Sequence, residues 1–225
     1  MMKLFITSTN TDIGKTYVTQ NLFKRLTSEG YNVCIFKPFQ TEMLPDGTYP
    51  DLEVYRNECQ LTYQLTSLYT FKDPVSPHLA FKREPDQPFD INKVLNRLAL
   101  LDRTFDFVLI EGAGGIAVPI YEYESHFYMT TDLIKDTADK VISVLPSQLG
   151  AISDAIVHHH YLKHMNLPPH ILLMNQFTNT ALEQDNHTTI EKFTNEPVFT
   201  FKKEGKPEDF SNTFIQQILG GQNHE

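Results

Sequence analysis

The 225-residue sequence predicts a single α/β domain with a mostly parallel sheet of about five to seven strands and helices on both faces. Three observations support this prediction. Short, continuous apolar runs recur along the chain, as is typical of strands that are covered on both faces. Longer segments with apolar residues at helical spacing lie between these runs. No Gly/Ser-rich or Pro-rich linker and no fixed-period repeat divides residues 1–225, so the whole chain is expected to form one domain.

The predicted strands and helices alternate along the chain. Strands are expected at residues 4–6, 33–36, 107–110, 141–145 and 171–174 and, more weakly, at 198–201. Helices are indicated by three apolar stripes: Val18, Leu22 and Leu26; Val94, Leu95, Leu98 and Leu101; and Ile152, Ile156, Tyr161 and Met165. Sheets of this kind bind ligands at the carboxyl ends of their strands, so the functional residues are expected to follow the apolar runs.

Composition and charge exclude several classes of protein. The net charge of −9 has the wrong sign for a surface that binds the phosphate backbone of nucleic acid. No apolar stretch approaches the roughly 18 residues of a membrane span, and the apolar residues 4–6 are far too few for a secretory signal. The two cysteines, Cys34 and Cys59, belong to no metal-binding or redox motif. The sequence therefore predicts a soluble, cytoplasmic protein without nucleic-acid or membrane partners.

The loop after the first predicted strand carries the clearest motif. Residues 8–16 read Ser-Thr-Asn-Thr-Asp-Ile-Gly-Lys-Thr, and their Gly-Lys-Thr end is that of a P-loop. Lys15 is expected to reach the β- and γ-phosphates of ATP, and the Thr16 hydroxyl to bind Mg²⁺. The strict pattern asks for glycine at position 9, where this sequence has Thr9, and Asp12 could instead be an ordinary helix cap. The position between a strand and an amphipathic helix favours a P-loop NTPase-like domain.

Two further loops follow predicted strands. Pro38 is expected to end the second strand because it lacks a donor, which leaves Lys37 at the carboxyl end, facing the P-loop. Glu111 ends the third strand and is followed by the glycine-rich residues 112–115; a carboxylate at this position could hold Mg²⁺, or it could be a simple cap. The glycines would let a substrate approach the backbone closely. By itself, Asp51 has the pattern of an N-cap carboxylate.

A run of histidines, His158 to His160 with His164 beyond it, does not predict a metal site. Consecutive residues of a helix point in different directions, so at most His160 and His164 share a face. No acidic or cysteine partner lies at ligand spacing in the sequence.

Taken in order, the three loops resemble those of the dethiobiotin synthetase family, ATP-dependent enzymes of the P-loop superfamily. That family reads Gly-Thr-Asp-Thr-x-Val-Gly-Lys-Thr, then Lys-Pro, then Glu-Gly-Ala-Gly-Gly, where this chain has residues 8–16, 37–38 and 111–115. Residues 76–78, 149–150 and 175 are also similar, and the resemblance runs from residue 2 to about residue 176. Ser8 and Asn10 depart from the family's Gly and Asp, and Thr41 stands where the family often has Ser.

The resemblance implies an ATP-dependent cyclo-ligase of biotin biosynthesis. Its substrates would be 7,8-diaminononanoate, CO₂ and ATP, and its products dethiobiotin, ADP and phosphate. One amine captures CO₂ as a carbamate, ATP phosphorylates the carbamate, and the second amine closes the ureido ring.

The resemblance also implies roles for individual residues. The catalytic residues are Lys15, Lys37 and Thr41, and the Mg²⁺ ligands are Thr16, Asp51 and Glu111. The implied nucleotide-binding residues are Asp12, Ile13, Gly14, Lys15, Thr16, Tyr17, Asp51, Glu111, Gly112, Ala113, Gly114, Asn175 and Gln176, with Asn175 reading adenine. The implied substrate-binding residues are Thr41, Gly115, Gly150, Ala151, Ile152 and Ser153, the last four at a helix N-terminus that binds the substrate carboxylate of the other subunit of a homodimer.

Two alternatives remain open at this point. A P-loop amidoligase acting on a cobyrinate-type macrocycle usually carries a glutaminase domain, for which 225 residues leave no room. A partitioning or septum-positioning switch ATPase uses a second lysine early in its phosphate loop, and residues 8–13 contain no lysine.

Overall fold

A seven-stranded, all-parallel sheet forms the centre of the molecule in the computed structural model, which describes residues 1–220. Two short strands form a separate antiparallel hairpin, β5 (Pro119–Glu122) and β6 (Phe127–Met129). The strands of the main sheet are β1 (Met2–Ser8), β2 (Val33–Gln40), β3 (Ser67–Thr70), β4 (Phe107–Glu111), β7 (Lys140–Leu145), β8 (His170–Phe177) and β9 (Val198–Lys202).

The helices occupy the connections between strands. They are α1 (Lys15–Ser28), α2 (Pro50–Cys59), α3 (Tyr63–Thr66), α4 (Pro77–Arg83), α5 (Ile91–Leu101), α6 (Thr130–Thr137), α7 (Ala151–His164), α8 (Ala181–Thr194) and α9 (Asn212–Leu219), with one 3₁₀ turn at Pro207–Asp209. None of these helices is long and apolar enough to cross a membrane.

Both faces of the sheet are buried, as the sequence predicts. Successive side chains of a strand point to opposite faces, and in β1 the side chains of Leu4 and Ile6 pack with helices α1, α2 and α9. The side chain between them, Phe5, packs with helices α4, α5 and α6 on the other face. A third apolar cluster joins β7, β8 and β9 to α7 and α8 at the end of the sheet. The predicted fold class is confirmed.

The strand order β3-β2-β4-β1-β7-β8-β9 determines which loops can form a site. β1 lies between β4 and β7, and β4 lies between β1 and β2. Because the strands are parallel, the loops after β1, β2 and β4 leave the sheet side by side at its carboxyl edge. Lys15 directly follows the first of these loops and Glu111 is the last residue of β4, whereas Lys37 lies within β2 rather than at its predicted end.

The second strand does not end at Pro38, contrary to the sequence prediction, but continues to Gln40. Lys37 and Phe39 pair with β3, so the nitrogen of Pro38 points the other way, toward β4. Pairing with β4 stops at Phe36. The missing N–H of Pro38 therefore removes no ladder hydrogen bond.

The third predicted helix is present as α7, but its buried face differs from the predicted stripe. Ile152, Ile156 and Tyr161 are only half-buried, and Met165 lies just beyond the last helical residue. The buried side chains are Ala151, Ala155, His158, His159 and Leu162. Two alanines let the helix lie close to the sheet, which moves the larger isoleucines to the margin of the contact.

Candidate active site

The P-loop joins β1 to α1 with two residues in the left-handed region, Asp12 (φ 60°) and Gly14 (φ 90°). Gly14 is the N-cap of α1, and no side chain of residues 1–220 caps this helix. Its first residues line the cleft, and their N–H groups, without a side-chain cap, can bind an anion there. A Cβ atom at position 14 would lie 2.3 Å from Nδ2 of Asn175, so a larger residue would have to displace this buried side chain as well as adopt a positive φ.

Lys15 is buried and lies against the P-loop itself. Its Nζ donates to Oγ of Ser8 at 3.0 Å and is 3.4 Å from the carbonyl oxygen of Asn10. The Ser8 hydroxyl in turn donates to the same carbonyl oxygen at 2.5 Å. Burial lowers the pKa of Lys15, although Glu111 opposes the shift. Ser8, a departure from the resembled family, is thus a direct partner of Lys15.

Three oxygen-bearing side chains meet beside the P-loop, from the first turn of α1, the first turn of α2 and the end of β4. Oγ1 of Thr16 lies 2.9 Å from Oδ1 of Asp51 and 3.0 Å from Oε1 of Glu111. A hydroxyl has one proton, so it cannot donate fully to both carboxylates, and oxygen lone pairs face one another in this cluster. Such a set of hard oxygen ligands fits a Mg²⁺ ion, which prefers carboxylate and hydroxyl oxygens. Asp51 lies in the first turn of α2, whose N-cap is Tyr49, and is not the N-cap itself.

Lys37 provides the positive charge for these two carboxylates. Its Nζ lies 2.6 Å from Oε1 of Glu111 and also forms an ion pair with Asp51. Burial alone would lower the pKa of Lys37, but the Glu111 and Asp51 carboxylates outweigh burial and raise it above its usual value. For Asp51, burial favours a higher pKa, and Lys37 outweighs that and holds it low. Lys37 and Asp51 are therefore charged across the neutral pH range.

Tyr55 is a member of this network that sequence reasoning missed. It is fully buried in α2, and its hydroxyl donates to Oε2 of Glu111. Burial and the neighbouring Glu111 carboxylate raise the pKa of Tyr55 well above its usual value, so it remains a donor. Glu111 has no exposed surface, yet both of its carboxylate oxygens are paired, one with Lys37 and the other with Tyr55. The sequence signal was the spacing, because Tyr55 lies one helical turn after Asp51.

A cleft of about 490 Å³ at the carboxyl edge of the sheet is lined by Lys15, Thr16, Lys37, Asp51 and Glu111. Of the residues implied by the resemblance, the cleft contains Asp12, Gly14, Lys15, Thr16, Tyr17, Lys37, Thr41, Asp51, Glu111, Ala113 and Gly114. It also contains side chains that sequence reasoning did not select, namely Gln20, Phe39, Gln40, Glu42 and Val54. The buried Oε1 atoms of Gln20 and Gln40 have no hydrogen-bond partner among residues 1–220 and are candidate acceptors for a ligand.

Two glycines of the loop after β4 are required by the protein's own atoms. A Cβ at Gly112 would lie 2.9 Å from the Phe5 ring, and a Cβ at Gly115 would lie 2.9 Å from the carbonyl oxygen of Thr9. At Gly115 this loop lies directly against the P-loop, where the carbonyl oxygen of Ser8 accepts from the N–H of Ile116. Packing against the Phe5 ring explains Gly112, and the close approach of the two loops explains Gly115, without any ligand.

Asn175 ends the buried part of β8 and lies behind the P-loop, outside the main cleft. Its Nδ2 donates to the carbonyl oxygen of Ile13 at 2.8 Å, while its buried Oδ1 has no partner among residues 1–220. Gln176 is exposed and lines a separate cavity of about 290 Å³, together with Lys203. Tyr17 contacts the segment after β9 to which Lys203 belongs, because its hydroxyl donates to the carbonyl oxygen of Gly205 at 2.8 Å.

Glu183 lines this second cavity and holds the loop that precedes α8 by hydrogen bonds. Its carboxylate accepts from the backbone N–H groups and hydroxyls of Thr178 and Thr180 and from the Ser147 hydroxyl. Burial opposes the ionisation of Glu183, but these hydrogen bonds outweigh it and lower its pKa to about 2.

The predicted carboxylate site, Gly150 with Ala151, Ile152 and Ser153, lies apart from the main cleft at the start of α7. Gly150 is the N-cap, with φ 99°, and no side chain of the described part of the chain caps the helix. Leu149, just before it, is 88% exposed. These residues line none of the cavities described above.

Comparison with known proteins identifies the family. A family model described as an AAA domain matches residues 2–200. The ATP-dependent dethiobiotin synthetase BioD of Staphylococcus epidermidis is 61% identical over 222 residues, which cover 99% of this chain and all of that protein. The protein of the same name from Caldicellulosiruptor saccharolyticus is 32% identical, over 97% of this chain and 89% of that one.

Similarity to solved structures supports the fold and no more than the fold. MinD of Aquifex aeolicus has a TM-score of 0.55 and 15% identity, over 97% of this chain and 86% of that one. A ParA family ATPase of Chlorobium tepidum has a TM-score of 0.56 and 13% identity, over 99% of this chain and 91% of that one. At such identities a shared fold says nothing about activity. Sequence identity over the full length does, and by that measure the chain belongs to the ATP-dependent dethiobiotin synthetases, carbon–nitrogen ligases of the P-loop superfamily.

Proposed function

We propose that this chain makes dethiobiotin from 7,8-diaminononanoate, CO₂ and ATP, with release of ADP and phosphate. The observation that carries the proposal is the Lys37 ammonium group, which lies between two carboxylates next to the P-loop threonine and borders the main cleft. The named relatives support the same reaction. ATP is the phosphoryl donor.

In the proposed reaction, one substrate amine adds to CO₂ and loses a proton, which gives a carbamate. A carbamate oxygen attacks the γ-phosphorus of ATP and ADP leaves. The second amine then attacks the carbonyl carbon and loses a proton, and phosphate leaves as the ring closes. Lys15 and Lys37 stabilise the negative charge of the transferring group, and Thr41 donates to the carbamate. The unpartnered oxygens of Gln20 and Gln40 are suitable acceptors for the N–H groups of a diamine.

Thr16, Asp51 and Glu111 are proposed as the residues that hold Mg²⁺. Both carboxylates lie within hydrogen-bond distance of the Thr16 hydroxyl, and hard oxygen ligands suit this ion. When bound, the ion supplies positive charge to the phosphates of ATP. Asp51 and Glu111 would hold the ion in place, and Tyr55 and Lys37 fix the orientation of the Glu111 carboxylate.

The decisive assay follows product and stoichiometry together. ADP release should require both diaminononanoate and bicarbonate, and ¹³C-bicarbonate should add one labelled carbon to the dethiobiotin detected by mass spectrometry. ADP release that needs neither co-substrate, with no labelled product, would exclude the proposed reaction and favour a switch ATPase.

Asn175 and Gln176 are proposed to contact the base of ATP. The Nδ2 group of Asn175 is already used by Ile13, so Oδ1 is the group left for the base. An acceptor suits the amino group of adenine and opposes the oxygen at the same position of guanine. Asn175→Ala should therefore raise KM for ATP and reduce the preference for ATP over GTP by about 1–3 kcal/mol. If the ratio of kcat/KM for ATP to kcat/KM for GTP is unchanged in a folded variant, Asn175 does not contact the base and only supports the backbone at Ile13.

The active form is proposed to be a homodimer in which the start of α7 binds the substrate carboxylate of the other subunit. The uncapped helix N-terminus at Gly150 suits an anion, and the neighbouring Leu149 and Val157 are exposed apolar residues. Leu149→Asp should produce an inactive monomer in sedimentation velocity experiments. The control variant Leu100→Asp changes an exposed leucine of α5 and should remain an active dimer. An active wild-type monomer at assay concentration would contradict the proposal.

A further inference from the structure

A cluster of two histidines and one glutamate lies far from the main cleft, at the amino edge of the sheet. His159 belongs to the second half of α7, His170 is the first residue of β8, and Glu196 precedes β9. One ligand atom from each of the three lies within 4.8 Å of the others. The dethiobiotin synthetase reaction proposed above uses none of these residues.

The two histidines face each other through ring nitrogens. Nδ1 of His159 lies 2.9 Å from Nε2 of His170, and the two rings are nearly edge to face, at an interplanar angle of 62°. Two nitrogens bound to one tetrahedral zinc ion are about 3.3 Å apart, given zinc–nitrogen distances of about 2.0–2.1 Å. A shift of a few tenths of an ångström would therefore open the pair for an ion.

The charge state of the cluster suits a metal cation. Burial lowers the pKa of His170 to about 4 and also lowers that of His159, so both rings are neutral at pH 7, the form that binds metal. Glu196 adds a carboxylate, whose pKa is held low by the hydrogen bond from Lys163. Nζ of Lys163 lies 2.9 Å from Oε1 of Glu196 and competes for this oxygen.

We propose that His159, His170 and Glu196 form a binding site for a divalent transition-metal ion of the zinc class. Two imidazoles and one carboxylate are a known zinc-binding set, which leaves one coordination position for water. Imidazole nitrogens distinguish this site from the Thr16, Asp51 and Glu111 cluster, whose hard oxygens suit Mg²⁺. The ion would connect α7, β8 and the segment before β9, and so stabilise this edge of the sheet.

The test is a titration of the untagged, full-length chain with Zn²⁺ alone, in competition with a chromophoric chelator and with Mg²⁺ in excess. One Zn²⁺ per chain should bind to the wild type. Glu196→Gln and His170→Asn remove proposed ligands and should each weaken binding at least tenfold, since loss of even a hydrogen-bond partner of a ligand costs about 10- to 100-fold in affinity. Glu196 is half-buried and on a loop, so the first variant is expected to fold even if the second does not.

The matched control removes the other histidine pair of α7. His160 and His164 are exposed, lie one helical turn apart and could hold zinc by themselves. The double variant His160→Ala/His164→Ala should keep its zinc affinity if the proposed site is correct. Loss of binding in this control, retention in Glu196→Gln, or no stoichiometric binding in the wild type would each overturn the proposal.

A gain of affinity gives a second, independent criterion. Lys163 is exposed and pairs with Glu196, so Lys163→Ala should release the carboxylate and tighten Zn²⁺ binding. Substitution of Co²⁺ should give the visible absorption of a tetrahedral site in the wild type and in Lys163→Ala, and not in Glu196→Gln. Unchanged or weaker zinc affinity in Lys163→Ala would exclude Glu196 as a ligand.

Discussion

Replacement of Lys37 by methionine should separate the catalytic role of its charge from its structural role. The side chain is buried and its Nζ is paired with both Asp51 and Glu111. Methionine keeps most of the volume of the side chain and removes the ammonium group. Two carboxylates then remain in contact with the Thr16 hydroxyl, and Lys15 is the remaining cation of the main cleft.

The structure sets the magnitude of both effects. Loss of one partner of a buried ion pair costs about 3–5 kcal/mol of stability, and the lower end applies because the Asp51 side chain is 29% exposed. Loss of one preorganised charge contact to the reacting group lowers kcat by about 10²–10³. Lys24→Met is the matched control, because Lys24 pairs with Glu58 at 2.7 Å on the surface and should cost at most about 1 kcal/mol.

Stability should be measured by urea denaturation and kcat by ADP release with all substrates at saturation. The double variant Lys37→Met/Glu111→Gln should be more stable than Lys37→Met, because it removes one of the unpaired carboxylates. A folded Lys37→Met protein with near-normal kcat would refute the catalytic role. A double variant no more stable than the single one would refute the charge compensation.

Three further predictions concern the metal, the P-loop and pH. Asp51→Asn and Glu111→Gln should each raise the Mg²⁺ concentration needed for half-maximal activity, and unchanged Mg²⁺ titrations in both would move the metal site elsewhere. Ser8 is a hydrogen-bond partner of Lys15 and would compete for it with the phosphates of ATP. Ser8→Gly should therefore lower KM for ATP with little change in kcat, and a raised KM would contradict this prediction. The pKa of Glu183 is about 2 when folded and 4.5 in its ordinary state, so its stabilising contribution is complete above pH 4.5 and is lost as pH falls toward 2. Urea denaturation of Glu183→Gln should show less acid destabilisation than the wild type over that interval, and equal losses would contradict it.

The continuous apolar runs predicted six of the seven strands of the main sheet because those strands are buried on both faces. The edge strand β3 was missed because it is four residues long and includes Ser67 and Thr70. The hairpin of β5 and β6 was missed for a similar reason, since its strands are short and half-exposed. The prediction of the buried face of α7 was wrong because the alanines that approach the sheet do not form a recognisable stripe of large apolar side chains.

For the site, local pattern was informative only where a residue follows a strand. Lys15 and Glu111 could be predicted in this way, since strand order is not needed to know that strand ends carry ligands. Asp51 lies in the first turn of a helix and gained a role only through the family resemblance, and the structure now brings it to Thr16 and Lys37. The helical spacing from Asp51 could have selected Tyr55, but its contact with Glu111, and the contact of Ser8 with Lys15, depend on the folded structure and are not visible in the sequence.

The requirements of folding and of the proposed catalysis coincide at Glu111. A carboxylate with no exposed surface is costly unless each of its oxygens is paired, and here Lys37 takes one oxygen and Tyr55 the other. The same two contacts fix the position of the carboxylate before any ligand arrives, which is what electrostatic preorganisation demands. Substitution of Tyr55 or Lys37 must therefore reduce stability and activity together, whereas a residue that only touches substrate would reduce activity alone. The ratio of the two effects distinguishes the residues that build this site from those that merely border it.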